Sequence, residues 1–374
     1  MPSRRRFLDR CLDRCLAGCV ASTSLLACQP WRTTPEPVPN VSGAAPAPAA
    51  PAAPTAGGAP AAAPSAASSV TPRIDAAVET RVRSRLDALN AQNTAYAKDL
   101  ATGRELAVRA DEPVNSVSVI KLPIMVLAYR DAEAGRLNLD DRYTIQPEDL
   151  RRGTGVLQKF AVGLQPTWRD LVTQMIITSD NSATDILIAK VGLERVNAML
   201  DSLGYRETRL RMPIGQLFRG VWEQLDPQYR SLTDRQVFER GFPEDSGADR
   251  RYLAYVADST KWFGRTTARE MSRFLEQVQR GQLAGPRYTE EMLRTLRDQV
   301  YSSRLPQRIR FTTAVGHKTG DWPPLIGNDV GIIYGQRGPI VVSVFTNENH
   351  GSFVDLEATI GRVAEDVLLA WGRR

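Results

Sequence analysis

Past its first 28 residues the chain has no cysteine, and in all 374 residues it has only two histidines, His317 and His350. With Cys11, Cys15, Cys19 and Cys28 confined to the N-terminus, nothing downstream is available for a disulfide or a thiolate metal site. The histidines are too few and too far apart to suggest a zinc site, and a Ser-His-Asp triad has little to draw on. His317 directly precedes Lys318 in a strand-like run, so the two side chains face opposite ways. Gly-rich phosphate loops and internal repeats are also missing. No metal and no cofactor is expected.

Charge of one sign is lacking too. Of the 48 basic and 42 acidic residues, the first 71 positions hold six Arg and three acids, which leaves 42 against 39 in the remainder. Such a balance, without a basic stripe interleaved with aromatics, argues against nucleic acid as a partner. The remaining stretch of about 300 residues is long enough to bury roughly three quarters of its unfolded surface without staples.

The N-terminal region reads as export and tether. Arg4-Arg5-Arg6 precedes an uncharged apolar or small stretch from Cys15 to Ala27, too short to span a bilayer, so residues 1–28 are expected to be a signal peptide. Ser3-Arg4-Arg5-Arg6-Phe7-Leu8 resembles a twin-arginine export motif, with Asp9 following it. Leu25-Leu26-Ala27-Cys28 resembles a lipoprotein lipobox, which implies lipidation of Cys28 and a membrane anchor. Residues 29–71 reduce mainly to Ala, Pro, Ser, Gly and Thr, a composition that cannot repay its ordering entropy, and read as an extended, disordered linker. The expected setting is periplasmic, lipid-anchored and monomeric.

From residue 72 the pattern becomes globular. An amphipathic helix is predicted over 72–95, strands over 95–100 and 105–109, and a helix over 118–134 closed by Gly135. Capping boxes at Thr167, Ser182 and Thr267 open three more helices. Two β-rich runs, 330–334 and 340–346, form a hairpin before a last helix over 354–371. Terminal strands around a helical middle predict an α+β domain in which both ends share one antiparallel sheet.

Three short motifs punctuate this domain: Ser118-Val119-Ile120-Lys121, Ser179-Asp180-Asn181 and Lys318-Thr319-Gly320. Each is weak alone, but their order and settings are informative. Ser118 and Lys121 lie one helical turn apart on the same face, so the amine can reach the hydroxyl. A hydroxyl needs a base, and Lys121 qualifies only if burial beside a second cation, Lys318, lowers its pKa. The helix N-terminus favours a developing oxyanion.

In order and spacing the trio resembles class A β-lactamases and penicillin-binding proteins, with similarity extending over 72–374. Gly153-Thr154-Gly155-Val156-Leu157 and Thr266-Thr267-Ala268-Arg269-Glu270-Met271 support it. The resemblance implies a five-stranded antiparallel sheet flanked by helices plus an all-helical lobe. It implies Ser118 as nucleophile, Lys121 as its base and Ser179 as proton relay. Asn181 would bind the substrate amide, Lys318 and Thr319 its carboxylate, and Gly320 would let substrate approach the sheet edge. The N–H groups of Ser118 and Asp321 would form the oxyanion hole.

One departure stands out. The family's Ω-loop glutamate, which activates the deacylating water, aligns with Ile214, and its asparagine aligns with Phe218. An insertion over 215–262 follows, in which Glu223 is the nearest substitute. The expected activity is opening of β-lactam amides through an acyl-Ser118. The alternatives are a D-Ala-D-Ala peptidase or transpeptidase on peptidoglycan peptides, and a penicillin-binding lipoprotein that does not turn over.

Overall fold

The computed structural model describes residues 73–241 and 248–372. The expected signal peptide, Cys28, the linker and residues 242–247 of the expected insertion lie outside them.

Strand β1 (Arg73–Ile74) leads into helix α1 (Ala76–Asp87), followed by β2 (Gln92–Asp99), β3 (Arg104–Val108) and the short β4 (Val114–Asn115). A central helical lobe holds α2 (Lys121–Glu133), α3 (Trp168–Ile177), α4 (Asn181–Val191) and α5 (Leu193–Ser202). Next come β5 (Arg209–Leu210), α6 (Ile214–Leu225), α7 (Asp234–Arg240), α8 (Ala248–Ala257) and β6 (Gly264–Thr266). The chain returns through α9 (Ala268–Gln279) and α10 (Pro286–Arg297) to β7 (Val315–Trp322), β8 (Ile326–Gly335), β9 (Gly338–Asn347) and α11 (Phe353–Val367).

The main sheet has the order β1-β3-β2-β9-β8-β7. Five strands pair antiparallel, and β1 adds a two-residue parallel edge on β3. The helix predicted over 72–95 is therefore shortened at both ends. At its start Asp75 caps α1, accepting from the Val78 N–H at 3.3 Å and from the Trp371 indole at 2.9 Å. At its end Asn93 donates to the Leu86 carbonyl at 2.9 Å, and the next residues enter the sheet. Periodicity alone could not see either event, since both depend on side chains that fold back.

Helices cover both faces of the sheet. Val78, Val82 and Leu86 of α1 pack with Ile360, Val363 and Trp371 on one side. Met271, Phe274 and Leu275 of α9 join the helical lobe on the other. Double coverage explains why β8 and β9 read as near-continuous apolar runs rather than alternating ones. Their connection is the two-residue turn Gln336-Arg337, with Gly335 opposite Gly338.

The Ser182 capping box is not used as one. Asp180 caps α4 instead, accepting from the Ala183 N–H at 2.9 Å, and Ser182 falls inside the first turn. Its hydroxyl accepts from the Arg151 N–H at 2.8 Å, while Asp185 accepts from the N–H groups of Ile214 and Gly215 at 2.7 and 2.8 Å. Thr267 does cap α9, but Glu270 turns away from the box to accept from the N–H groups of Arg206, Glu207 and Thr208. Residues with capping chemistry thus tie separate segments together.

Trp371 is fully buried and supports the Asp75 cap. Trp371→Ala is expected to lower the unfolding free energy by about 3–5 kcal/mol in urea titration. Leu369→Ala, two residues away but 45% exposed, should change it by about 0.5 kcal/mol or less.

Candidate active site

The turn between β4 and α2 is held from the sheet. Ser116 N–H donates to the Gly264 carbonyl at 3.0 Å, and Asn328 Nδ2 donates to the Asn115 carbonyl at 2.9 Å. Asn115 N–H donates to Asn347 Oδ1 at 2.8 Å, and Asn347 in turn donates to Asn328 Oδ1 at 3.1 Å. Three buried asparagines from three strands thereby hold one turn. Within it Val117 has φ of 39°, a conformation a β-branched residue adopts only under constraint. Its N–H is taken by Asn115 Oδ1 at 3.1 Å.

The strained residue delivers Ser118. Residues Val117–Ile120 form a single 3₁₀ turn that runs into α2, and in such a turn positions three apart eclipse, so Ser118 and Lys121 share a face. Ser118 is half-buried, whereas Ser116, Val117 and Val119 are buried. Its hydroxyl makes no hydrogen bond among the described residues. The opposite face of the turn packs on β7, where a Cβ at Gly320 would stand 2.7 Å from the Ser116 carbonyl oxygen and 2.8 Å from Val117 Cγ2.

Lys121 is fully buried and spends its donors on the second motif: Ser179 O at 2.7 Å, Ser179 Oγ at 3.2 Å and Asn181 Oδ1 at 3.0 Å. Lys318, equally buried, donates to Ser179 Oγ at 3.0 Å and to the Thr319 carbonyl at 2.7 Å. Ser179 Oγ is therefore the meeting point of two amines. Burial holds the Lys121 ammonium well below its usual range and Lys318 adds repulsion, while Asp180, Asp185 and Asp321 oppose both. Lys318 is brought down to about 7, chiefly by burial and also by Arg304, against the pull of Asp321 and Asp329.

Ser179 itself adopts φ of 55°, which turns its carbonyl toward Lys121 and Thr154. The loop Gly153-Thr154-Gly155 lies against this bend. Thr154 Oγ1 donates to Ser179 O at 2.7 Å, and a Cβ at Gly155 would collide with Asp180 Cα. Asn181, expected to face the substrate amide, already accepts from Lys121 and donates to the Arg152 carbonyl at 2.8 Å.

On β7, Thr319 Oγ1 is buried without a partner among the described residues. Asp321 forms an ion pair with Arg304, whose side chain is 4% exposed. His317 turns to the other side of the strand from Lys318 and meets Asp329 at 2.9 Å.

Ile214, aligned with the family glutamate, opens α6 and is buried. Phe218, one turn on, lies beside Gly153 and faces Trp322 with ring centroids 6.4 Å apart. Tyr252 from α8 meets the same indole at 5.4 Å. Glu223 is half-buried and pairs with Arg230 at 2.7 Å.

The structure thus brings Ser118, Lys121, Ser179, Asn181, Lys318, Thr319, Gly320 and Asp321 to one region, while Cys28 lies outside the described residues. Thr154, Arg304 and the asparagines 115, 328 and 347 were not singled out from sequence. Only Thr154 carried a signal, as the middle residue of a glycine-flanked loop.

A family model described as the beta-lactamase enzyme family matches residues 77–371. Beta-lactamase L2 of Stenotrophomonas maltophilia is 30% identical over 193 residues, which is 51% of this chain and 55% of that protein, so the chain spans about half the length of this relative. A beta-lactamase of Streptomyces lavendulae is 24% identical across 88% of this chain and 99% of its own. Among solved structures, a beta-lactamase from Sphaerobacter thermophilus superposes with TM-score 0.64 at 25% identity, over 80% of this chain and 98% of that one. A PBP-A mutant in an acyl-enzyme complex with penicillin G shares the fold, with TM-score 0.63 at 20% identity, over 80% of this chain and 97% of that one.

Between about pH 7 and 9 the unfolded chain keeps a proton on Lys318 that the folded chain lacks, so unfolding free energy should rise with pH across that window. Lys121 adds to the slope. Lys318→Met should remove up to about 1.4 kcal/mol per pH unit of it, read from urea titrations at both ends. Gly155→Ala, at φ of 106° and against Asp180, should displace the Ser179 bend and lower the unfolding free energy by about 1–3 kcal/mol in urea titration.

Proposed function

Because the chain belongs to the beta-lactamase enzyme family, we propose that it is a serine acyl-transfer hydrolase that opens β-lactam amides through an ester on Ser118. The observation that carries this reading is the pair of buried amines meeting at Ser179 Oγ, one of them Lys121, which ends the turn that holds half-buried Ser118. A lysine kept neutral by burial is a competent base for a serine one turn away. In the reaction the Ser118 oxygen bonds to the carbonyl carbon and the amide C–N bond breaks. The hydroxyl proton passes to Lys121, and Ser179 Oγ gives its own proton to the departing nitrogen and takes the one held by Lys121, which donates to it at 3.2 Å. The N–H groups of Ser118 and Asp321 stabilise the oxyanion, Lys318 and Thr319 bind the substrate carboxylate, and Gly320 lets the turn that carries Ser118 pack against β7.

The step after acylation meets a different environment. At the position expected to hold a water-activating carboxylate, α6 presents Ile214 and Phe218, and the Glu223 carboxylate is engaged by Arg230. This observation favours slow hydrolysis of the ester, as in a peptidase or penicillin-binding protein acting on D-Ala-D-Ala ends. The anchoring read from Cys28 belongs to the same proposal, since a lipid-tethered domain of this kind would work on the periplasmic side of a membrane.

With a chromogenic cephalosporin, the expected result is a burst of about one equivalent followed by slow turnover, and an intact mass raised by one acyl group. Ser118→Ala should show neither. A variant lacking Ser118 that still gained the adduct would refute the assignment.

A further inference from the structure

Val117 is held at its positive φ from two sides. The asparagines fix its backbone, and its side chain is buried in a small core distinct from the two that cover the sheet. Its partners there are Val256 of α8 and, where β8 begins, Leu325 and Ile326, with Tyr252, Leu253 and Trp322 packed against them. Trp322 directly follows Asp321, just as Val117 directly precedes Ser118. Each N–H group assigned to the oxyanion hole is therefore one residue away from a side chain packed with α8.

The grip of α8 has a backbone part as well. The Trp262 indole donates to the Val256 carbonyl at 3.1 Å, and two residues on the Gly264 carbonyl accepts the Ser116 N–H at 3.0 Å. Lys261 Nζ donates to Gln224 Oε1 at 3.1 Å, which ties this exit from α8 to α6. All of α8 lies within the segment read from sequence as an insertion. Two donors serve a developing oxyanion only while both point at one oxygen, and a misplacement of about 1 Å can cost on the order of a hundredfold in rate. The asparagines keep the turn on the sheet, but the side-chain packing on Val117 and Trp322 decides how the two N–H groups are spaced.

We propose that α8 is a positioning clamp for the oxyanion hole: by packing on Val117 and Trp322 it sets the spacing of the Ser118 and Asp321 N–H groups, and so the inserted segment is needed for fast acylation. The inference rests on the acyl-Ser118 reading and adds Val256 and Tyr252 to it as positioning residues.

Adduct formation by benzylpenicillin on the full chain, followed by intact mass at several concentrations, separates the limiting rate from half-saturation. Val256→Ala is expected to lower the limiting rate at least about tenfold and to leave half-saturation within about twofold, and Val256→Ile should restore most of the rate. Val82→Ala, the same deletion in the core on the other face of the sheet, should leave both constants unchanged. By reciprocity, acylation of the wild-type chain should slow amide hydrogen exchange over residues 252–257. A folded Val256→Ala chain with the wild-type limiting rate overturns the proposal, and so does a Val82→Ala chain slowed to the same degree. If Val256→Ala does not fold, exchange in α8 that is the same before and after acylation overturns it instead. In each of these cases the acyl-Ser118 reading survives. A wild-type chain that gains no adduct removes that reading, and the clamp with it.

Discussion

Two ammonium groups cannot both stay charged when buried at hydrogen-bonding distance from one hydroxyl. Lys121 and Lys318 converge on Ser179 Oγ at 3.2 and 3.0 Å, and this conflict organises the domain. It is tolerated because each amine is otherwise satisfied: Lys121 by Ser179 O and Asn181, Lys318 by Thr319 O. Those acceptors come from the bend between α3 and α4 and from β7. Helical lobe and sheet are therefore joined at the place where desolvation is most costly, and the energy lost there must be recovered in the two cores on either side of the sheet.

The bend is the second constraint. Ser179 and Val117 both have positive φ, one on each side of the amines, and neither residue type favours it. Each is over-determined by distant groups. Thr154 and the glycines around it hold Ser179, and the asparagines of β8 and β9, through Asn115, hold Val117. The segment from Ile214 onward is tied in through charges. Arg151 bridges Asp185 and Asp234, which link α4 to α6 and α7. The aromatic group of Phe218, Trp322 and Tyr252 then spans from α6 and α8 to the end of β7.

What was legible in the sequence was local. Three motifs whose chemistry sits within three or four residues announced themselves, and so did the hairpin and most helices, because period and caps are short-range signals. The failures share a cause. The helix predicted over 72–95 ended early because Asn93 reaches back to Leu86, and the box at Ser182 lost to Asp180 because Arg151 and α6 claim Ser182 and Asp185. Arg304 was invisible because nothing in its neighbourhood in the chain marks it. Its role comes from Asp321 and Glu357, 17 and 53 residues away. Likewise, the first motif alone does not reveal that Lys121 hydrogen-bonds Ser179 and Asn181, partners 58 and 60 residues away that tertiary packing supplies.

The asparagine linkage has one more consequence. Asn328 and Asn347 lie in β8 and β9, two interior strands, and they hold the turn that presents Ser118. Ser118 is thus referenced to interior strands of the sheet rather than to its own helix. Local fraying of the lobe leaves these bonds from the sheet in place, so loss of the Ser118 turn and loss of the fold are one cooperative event.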